Sequence, residues 1–304
     1  MKIKSFIKNF IIYFCLSFVG ITAISYLYSL IDHGAVAFVW PQVITISIIL
    51  GIILPFAKKL TSPPDDSDVR QKGMEGKLNK GGILVIVAPF RMIIATAVIF
   101  FMAAGRVDML RAWLFFSISL IGAIAGGLIM WKFAPELTNN RASVKKGTKT
   151  WDKFILATFI PVSLLVFPAV AGLDVGRFRW SELGISYAVL GIVLALVKFI
   201  LWHWAIVTNR HFEATVRIQV DRNHRVITDG PYRFIRHPGY LSIIIGCISG
   251  SFIIGSLYSL IPASIIIIAV IIRTCLEDRT LQNELPGYSE YVKQTKYRLV
   301  PGVW

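Results

Sequence analysis

The chain alternates long apolar runs with short polar stretches, most of which are charged. A helix needs about 20 apolar residues to cross a hydrocarbon core about 30 Å thick. Six runs approach that length, and two shorter ones follow with only Gly255-Ser256 between them. We therefore predict an all-α polytopic membrane protein whose last two spans form a tight hairpin. The eight predicted spans are residues 11–31, 38–57, 82–104, 112–130, 154–173, 183–207, 240–254 and 257–272.

Basic residues in the loops predict the orientation of these spans. Three lysines precede the first span, and the loop after it has no Lys or Arg. Loops 58–81, 131–153 and 208–239 carry six basic residues each, whereas the loops between them carry two each. Cytoplasmic loops are enriched in Lys and Arg. The alternation favours an even number of spans with both termini in the cytoplasm.

Composition strengthens the membrane interpretation and narrows the class of partner. Apolar residues make up 55% of the chain, against about 45–50% in soluble domains. The net charge of +15 lies in loops between spans, so we expect contacts with anionic lipids at the cytoplasmic face rather than with nucleic acid. The spacing of Cys15, Cys247 and Cys275 favours neither a disulfide framework nor a metal site.

The loop before the seventh span ends in a dense polar motif, GPYRFIRHPGY, at residues 230–240. Pro238 suits the first turn of a helix. Arg236 and His237 would then lie at a helix N-terminus, where unpaired N–H groups and the helix dipole favour an anion such as a carboxylate. Alternatively, Arg233 and Arg236 serve only as interfacial anchors.

A second polar cluster, from residue 273 onward, follows the last span. Arg273 and Glu277 are four residues apart and therefore share a helical face. An ordinary surface ion pair, worth about 0–1 kcal/mol, is the simpler interpretation. The loop charges place this cluster and the GPYRFIRHPGY motif on the same side of the membrane.

Taken together, the two clusters resemble the isoprenylcysteine carboxyl methyltransferase family, within a wider group that includes phospholipid N-methyltransferases. The matching features are GPYRFIRHPGY, an apolar hairpin, R-x-x-x-E-D at 273–278, G-Y-x-x-Y at 287–291 and Pro301. The resemblance covers about residues 214–304 and leaves 1–150 out. We therefore predict a membrane methyltransferase core at 151–304 and a four-helix membrane region of open role at 1–150.

The resemblance implies that S-adenosylmethionine binds at the cytoplasmic membrane boundary and leaves as S-adenosylhomocysteine. It also implies that Glu277 faces the cofactor and that Arg273 lies near the methyl acceptor, which makes these two the predicted catalytic residues. The other cofactor-binding residues that it implies are Gln219, His224, Arg225, Val226, Ile227, Tyr232, His237, Pro238, Gly239 and Tyr240.

The chemistry of the cofactor adds two residues to this set. Arg236 suits its carboxylate, and Asp278, like Glu277, suits its ammonium or ribose hydroxyls. A carboxylate acceptor needs no general base, and Arg273 could orient it through a bidentate contact. An amine acceptor would have to lose a proton, which Glu277 could take. The sequence leaves the acceptor open between these.

The leading hypothesis is thus an integral membrane methyltransferase acting on a lipophilic acceptor, with a carboxyl O-methyltransferase favoured. The acceptor would be an isoprenoid or prenylcysteine-type carboxylate, or a lipid headgroup. Two alternatives remain open: an NADPH-dependent membrane reductase of the sterol-reductase type, and a non-enzymatic membrane protein that keeps only the fold.

Overall fold

The computed structural model describes residues 77–304. The first two predicted spans, 11–31 and 38–57, lie outside the described residues. Within 77–304 every regular element is helical, as predicted. Six helices coincide with the six remaining predicted spans. They are α1 (Lys80–Ala104), α2 (Leu110–Phe133), α4 (Thr150–Phe178), α5 (Ile185–Thr208), α6 (Pro238–Ile254) and α7 (Leu260–Glu284), and the two short helices are α3 (Pro135–Asn140) and α8 (Tyr288–Gln294).

Five of these helices, all but α6 among the six, are long and apolar enough to cross a membrane. They indicate an integral, multi-pass membrane protein. Helix α4 is not regular throughout, because π-helical turns at Val162–Val166 and Leu173–Phe178 interrupt its α-helical hydrogen bonding. The two cytoplasmic termini predicted from the loop charges stay a prediction.

Helices α6 and α7 form the predicted hairpin. Helix α6 ends where Gly255 adopts a φ of 92°, a left-handed conformation that glycine reaches without steric cost. Arg111, at the start of α2, satisfies carbonyl groups at this helix end by donating from Nε to Ile253 O at 2.8 Å and from Nη2 to Phe252 O. The turn is therefore held from a neighbouring helix.

Helices α1, α2, α4 and α6 pack around one hydrophobic cluster that contains Phe100, Phe116, Ala171 and Ile254. The approach of α4 to α1 requires glycine, since a Cβ on Gly172 would lie 2.3 Å from the backbone oxygen of Phe100. Helices on both sides of residue 150 thus share a core. The functional division of the chain at that residue stays a prediction.

A buried carboxylate ties α4 to the turn between α6 and α7. Asp174, in the last π-helical turn of α4, is fully buried. Its Oδ2 accepts hydrogen bonds from Ser256 Oγ at 2.6 Å, from Ser181 Oγ at 2.7 Å and from the backbone N–H of Tyr258 at 3.2 Å. These bonds fix the end of the bundle opposite to the polar motifs.

The polar motifs lie at the other end, where the segment 209–237 joins α5 to α6. This segment is held by a buried arginine, Arg217, which contacts Glu213 at 2.8 Å and Asp221 at 2.6 Å. The hydrogen bonds that Arg217 donates to Glu213 and to Asp221 outweigh the opposing effect of burial and raise the pKa of Arg217. The segment is consequently an ordered cover over the ends of α5, α6 and α7.

Candidate functional site

The carboxylate of Asp278 is the centre of the polar end of the bundle. It is fully buried on α7. Arg236 contacts it with two nitrogens, Nε at 2.9 Å from Oδ1 and Nη2 at 3.0 Å from Oδ2. It also accepts from Arg298 Nε at 2.9 Å and from Tyr288 Oη at 3.0 Å. His237 Nε2 lies 3.2 Å from Oδ1. Asp278 therefore joins the start of α6 to α7, α8 and the segment after α8.

This network changes the role expected of the N-terminus of α6. The backbone N–H of Arg236 donates to Tyr297 O at 2.9 Å, and that of His237 donates to Arg298 O at 2.9 Å. The guanidinium of Arg236 is already paired with Asp278. The anion expected at this helix N-terminus is thus supplied by the protein itself. The cofactor contacts predicted for Arg236, His237 and Asp278 stay predictions. Each of these side chains would contact the cofactor in addition to the hydrogen bonds that it already makes within the protein.

Tyr240, in the first turn of α6, connects the two motifs that the sequence singled out. Its hydroxyl donates to Glu277 Oε2. The guanidinium carbon of Arg273 lies over its ring, 5.3 Å from the centroid. Its ring also stacks on that of His237, with centroids 5.7 Å apart. Both predicted catalytic residues, Arg273 and Glu277, therefore meet at one tyrosine of the RHPGY motif.

The other partner of Arg273 is Asp152, which the sequence analysis did not identify. Asp152 lies in the first turn of α4 and is fully buried. Arg273 donates from Nε to Asp152 Oδ1 at 2.7 Å and from Nη2 to Asp152 Oδ2 at 3.3 Å. Nη2 also donates to Ala214 O at 2.8 Å. Among residues 77–304, the remaining nitrogen Nη1 has no hydrogen-bond partner, so a bidentate contact through Nη1 and Nη2 would have to displace Ala214 O from Nη2.

A second arginine, Arg141, lies close to Arg273. It donates from Nη1 to Phe212 O, two residues before the carbonyl that Arg273 contacts, and its guanidinium carbon lies 5.4 Å from the Phe212 ring centroid. Burial, and then the charge of Arg273, lower the pKa of Arg141 to about 10. Two positive charges therefore converge on the stretch from Phe212 to Ala214. Sequence inspection missed Arg141 because an arginine in a basic loop looks like a topology signal.

A groove of about 330 Å³ opens beside this centre, between the segment 224–228 and helix α8. Three of the predicted cofactor-binding residues line it: His224, Arg225 and Val226. The opposite wall includes Glu290 and Gln294, neither of which the sequence analysis selected. The groove thus combines a cation, a carboxylate, an amide and apolar side chains within one small volume.

His224 is held in this wall as a neutral ring. Its ring lies against that of His211, with centroids 4.6 Å apart, and its Nδ1 accepts from the backbone N–H of Gln219 at 3.3 Å. Burial first, then the charges of His211, Arg217 and Arg222, lower the pKa of His224 to about 4. A neutral imidazole at this position can accept or donate a hydrogen bond at physiological pH.

The remaining predicted cofactor residues are placed further inside the fold. Gln219 is buried and donates from Nε2 to His211 O at 2.7 Å. The backbone oxygen of Tyr232 accepts from Tyr291 Oη at 2.7 Å, and Ile227 packs in the same apolar cluster. Pro238 and Gly239 are buried at the start of α6. A Cβ on Gly239 would lie 2.4 Å from Phe212 Cζ, so this glycine permits close packing.

Comparison with known proteins supports the resemblance. Residues 189–283 match the model of the Isoprenylcysteine carboxyl methyltransferase (ICMT) family. The chain is 37% identical over 62 residues to a "Probable protein-S-isoprenylcysteine O-methyltransferase" from Oryza sativa subsp. indica, and likewise from subsp. japonica, covering 20% of this chain and 31% of each relative. The resemblance to this family is confirmed for the segment that contains RHPGY and the Arg273–Glu277 pair.

A longer similarity involves a relative with a different name. The chain is 29% identical over 149 residues to the "Cobalt-zinc-cadmium resistance protein CzcN" from Cupriavidus metallidurans, covering 46% of this chain and 58% of the relative. The chain spans about a third of the length of the rice relatives that it matches. Asp152 and Arg141 lie outside the segment matched by the family model.

Proposed function

We propose that this protein is an integral membrane methyltransferase that uses S-adenosylmethionine and methylates the carboxylate of a lipophilic acceptor of the prenylcysteine class. The observation that carries this proposal is the convergence at Tyr240. The tyrosine belongs to the RHPGY motif, donates to Glu277 and lies under Arg273. Residues of two separate motifs thus form one compact polar centre at a helix end.

The groove between residues 224–228 and α8 fits the chemistry of the cofactor. Arg225 can hold a carboxylate, Glu290 can hold an ammonium or ribose hydroxyls, and Val226 offers an apolar contact. Gln294 adds an amide that can donate or accept. When bound, S-adenosylmethionine supplies a methyl group on a positively charged sulfur, activated for displacement.

The residues around Arg273 favour a carboxylate acceptor. A carboxylate is already a nucleophile and needs no proton removed. Nη1 of Arg273, which carries two N–H groups, can donate to such a group, and Arg141 adds a second positive charge nearby. Glu277 accepts the Tyr240 hydroxyl at Oε2, which occupies one of the two oxygens that an amine acceptor could use as a base. Burial of Arg273 and Asp152 excludes water from this side of the centre.

The direction of approach follows from the membrane setting. The polar centre lies at the ends of α5, α6 and α7, on the side to which the loop charges assign the cytoplasm, so the soluble cofactor would enter from water. The lipophilic acceptor would enter laterally from the bilayer. Basic residues of loops 131–153 and 208–239 would contact anionic lipid headgroups at this face.

The test is methyl transfer by the purified protein in lipid vesicles. We expect label from S-adenosylmethionine carrying a radioactive methyl group to enter N-acetyl-S-farnesylcysteine as a base-labile ester. The amide of the same compound, which lacks a free carboxylate, is the matched control and should remain unlabelled. Label in an amine headgroup of phosphatidylethanolamine vesicles would contradict the carboxylate assignment. Binding of NADPH in place of S-adenosylmethionine would favour the reductase alternative.

A further inference from the structure

Asp152 is the acidic residue that forms hydrogen bonds with the guanidinium of Arg273. It reaches Arg273 across 121 positions of sequence and is completely buried while doing so. Its Oδ2 also accepts the backbone N–H of Val216 at 2.9 Å. Both carboxylate oxygens are thus occupied, one by Arg273 alone and the other by Arg273 and the segment before α6.

These contacts leave Arg273 with a single orientation. Nε and Nη2 are directed at Asp152, Nη2 is shared with Ala214 O, and the flat face of the guanidinium lies over the Tyr240 ring. A planar guanidinium that is fixed at two nitrogens and one face cannot rotate. The direction of its third nitrogen, Nη1, is therefore set by the position of Asp152.

We propose that Asp152 is a positioning residue: it holds Arg273 so that Nη1 alone is presented to the carboxylate of the methyl acceptor. The inference deepens the proposed function and rests on it. It also assigns a role to α4, because the residue that orients Arg273 comes from outside the segment that matches the family model. Selectivity for the acceptor would then depend partly on this region.

A purely structural role would be to tie α4 to α7, and the chain contains a second tie that serves as the control. Lys149 Nζ contacts Glu284 Oε1 at 2.7 Å and Oε2 at 2.8 Å. This pair also joins the start of α4 to α7, but it is partly exposed, with Glu284 side-chain exposure of 44%. Glu284→Gln therefore removes an acidic partner across the same interface without touching Arg273.

The first readout is the kinetics of methyl transfer to N-acetyl-S-farnesylcysteine. Misplacing a reacting group by about 1 Å can cost about 100-fold in rate, so we expect Asp152→Asn to lower kcat/KM for the acceptor by about that factor. The Kd of S-adenosylhomocysteine should stay within about twofold, because Arg273 and Val216, the hydrogen-bond partners of Asp152, do not line the groove. Glu284→Gln should leave both values unchanged.

A double-mutant cycle separates positioning from a general loss of structure. If Asp152 acts through Arg273, adding Asp152→Asn to Arg273→Gln should change kcat/KM by less than about threefold relative to Arg273→Gln alone. Independent, multiplied losses would overturn the inference. If Asp152→Asn does not accumulate in membranes, Asp152→Glu replaces it, and the same cycle is run. A longer carboxylate that keeps full kcat/KM would also overturn the inference.

The second readout does not depend on methyl transfer. In protein with ¹⁵N-labelled arginine, the Arg273 Nε–H signal is assigned by its loss in Arg273→Gln. We expect its exchange with water to be slow in the wild type and at least about tenfold faster in Asp152→Asn, but unchanged in Glu284→Gln. A wild-type protein without methyl transfer would refute the proposed function. A rapidly exchanging Nε–H in the wild type would refute the positioning.

Discussion

Replacing Asp278 by asparagine should strongly destabilise the polar end of the bundle. The substitution keeps the shape of the side chain and removes its charge. Arg236, whose side chain is 4% exposed, and Arg298, whose side chain is 32% exposed, would then lose their common anion. Their mutual repulsion is added to the cost of leaving a buried guanidinium unpaired.

The magnitude follows from the burial of this network. Breaking a buried ion pair by removing one partner typically costs about 3–5 kcal/mol. Tyr288 and Gln282 also lose the charged acceptor to which they donate, so we expect the free energy of unfolding to fall by an amount at the upper end of that range. The free energy of unfolding would be measured by denaturant titration in mixed detergent micelles, following tryptophan fluorescence.

The control is Asp221→Asn, which removes the acidic partner of another arginine, Arg217. The Asp221 side chain is 57% exposed, and exposed pairs contribute about 0–1 kcal/mol. Arg217 would also keep its buried partner Glu213. If Asp278→Asn destabilised the protein no more than Asp221→Asn, the view of Asp278 as the organising anion of the site would be wrong.

Three further predictions concern the groove and the catalytic centre. Arg225→Ala should weaken S-adenosylhomocysteine binding by about tenfold, the value of one charge-assisted hydrogen bond. The control Lys293→Ala, at an exposed position outside the groove, should bind as the wild type does, and equal binding curves for the two variants would contradict the prediction. Glu277→Gln should lower the rate of methyl transfer by about tenfold or more and leave expression intact, and unchanged turnover would remove Glu277 from the reaction. The pKa of His224 is about 4 in the folded state and about 6.5 in the unfolded state, so the unfolded state binds more protons between these values. The stability of the wild type should therefore fall as the pH drops from about 6.5 towards 4. In thermal melts, the Tm of His224→Gln should fall less steeply with pH than that of the wild type, and an identical slope would refute the assignment.

Hydropathy identified the helices between residues 82 and 272 well, since apolar side chains in runs of this length determine them. It placed the end of the last span at residue 272, whereas α7 continues to Glu284. The additional turns carry Arg273, Glu277 and Asp278. A charged helical extension has no hydropathy signal, so only the four-residue spacing of Arg273 and Glu277 indicated that the helix continues.

The site was predictable where residues lie in local motifs and not where distant segments meet. The RHPGY motif and the Arg273–Glu277 pair were recognisable as patterns, and Tyr240 joins them as a physical contact. Asp152 could not be recognised, because an aspartate in the first turn of a helix is favourable for the helix alone. The helix N-terminus at Arg236 suggested an external anion, since nothing local indicates that Asp278 is its partner.

The central claim is most directly tested by ligand binding to the purified protein in detergent. We expect S-adenosylhomocysteine to bind saturably with one molecule per chain in a calorimetric titration, with NADPH neither binding nor competing. Saturable binding of NADPH together with no binding of S-adenosylhomocysteine would contradict the account.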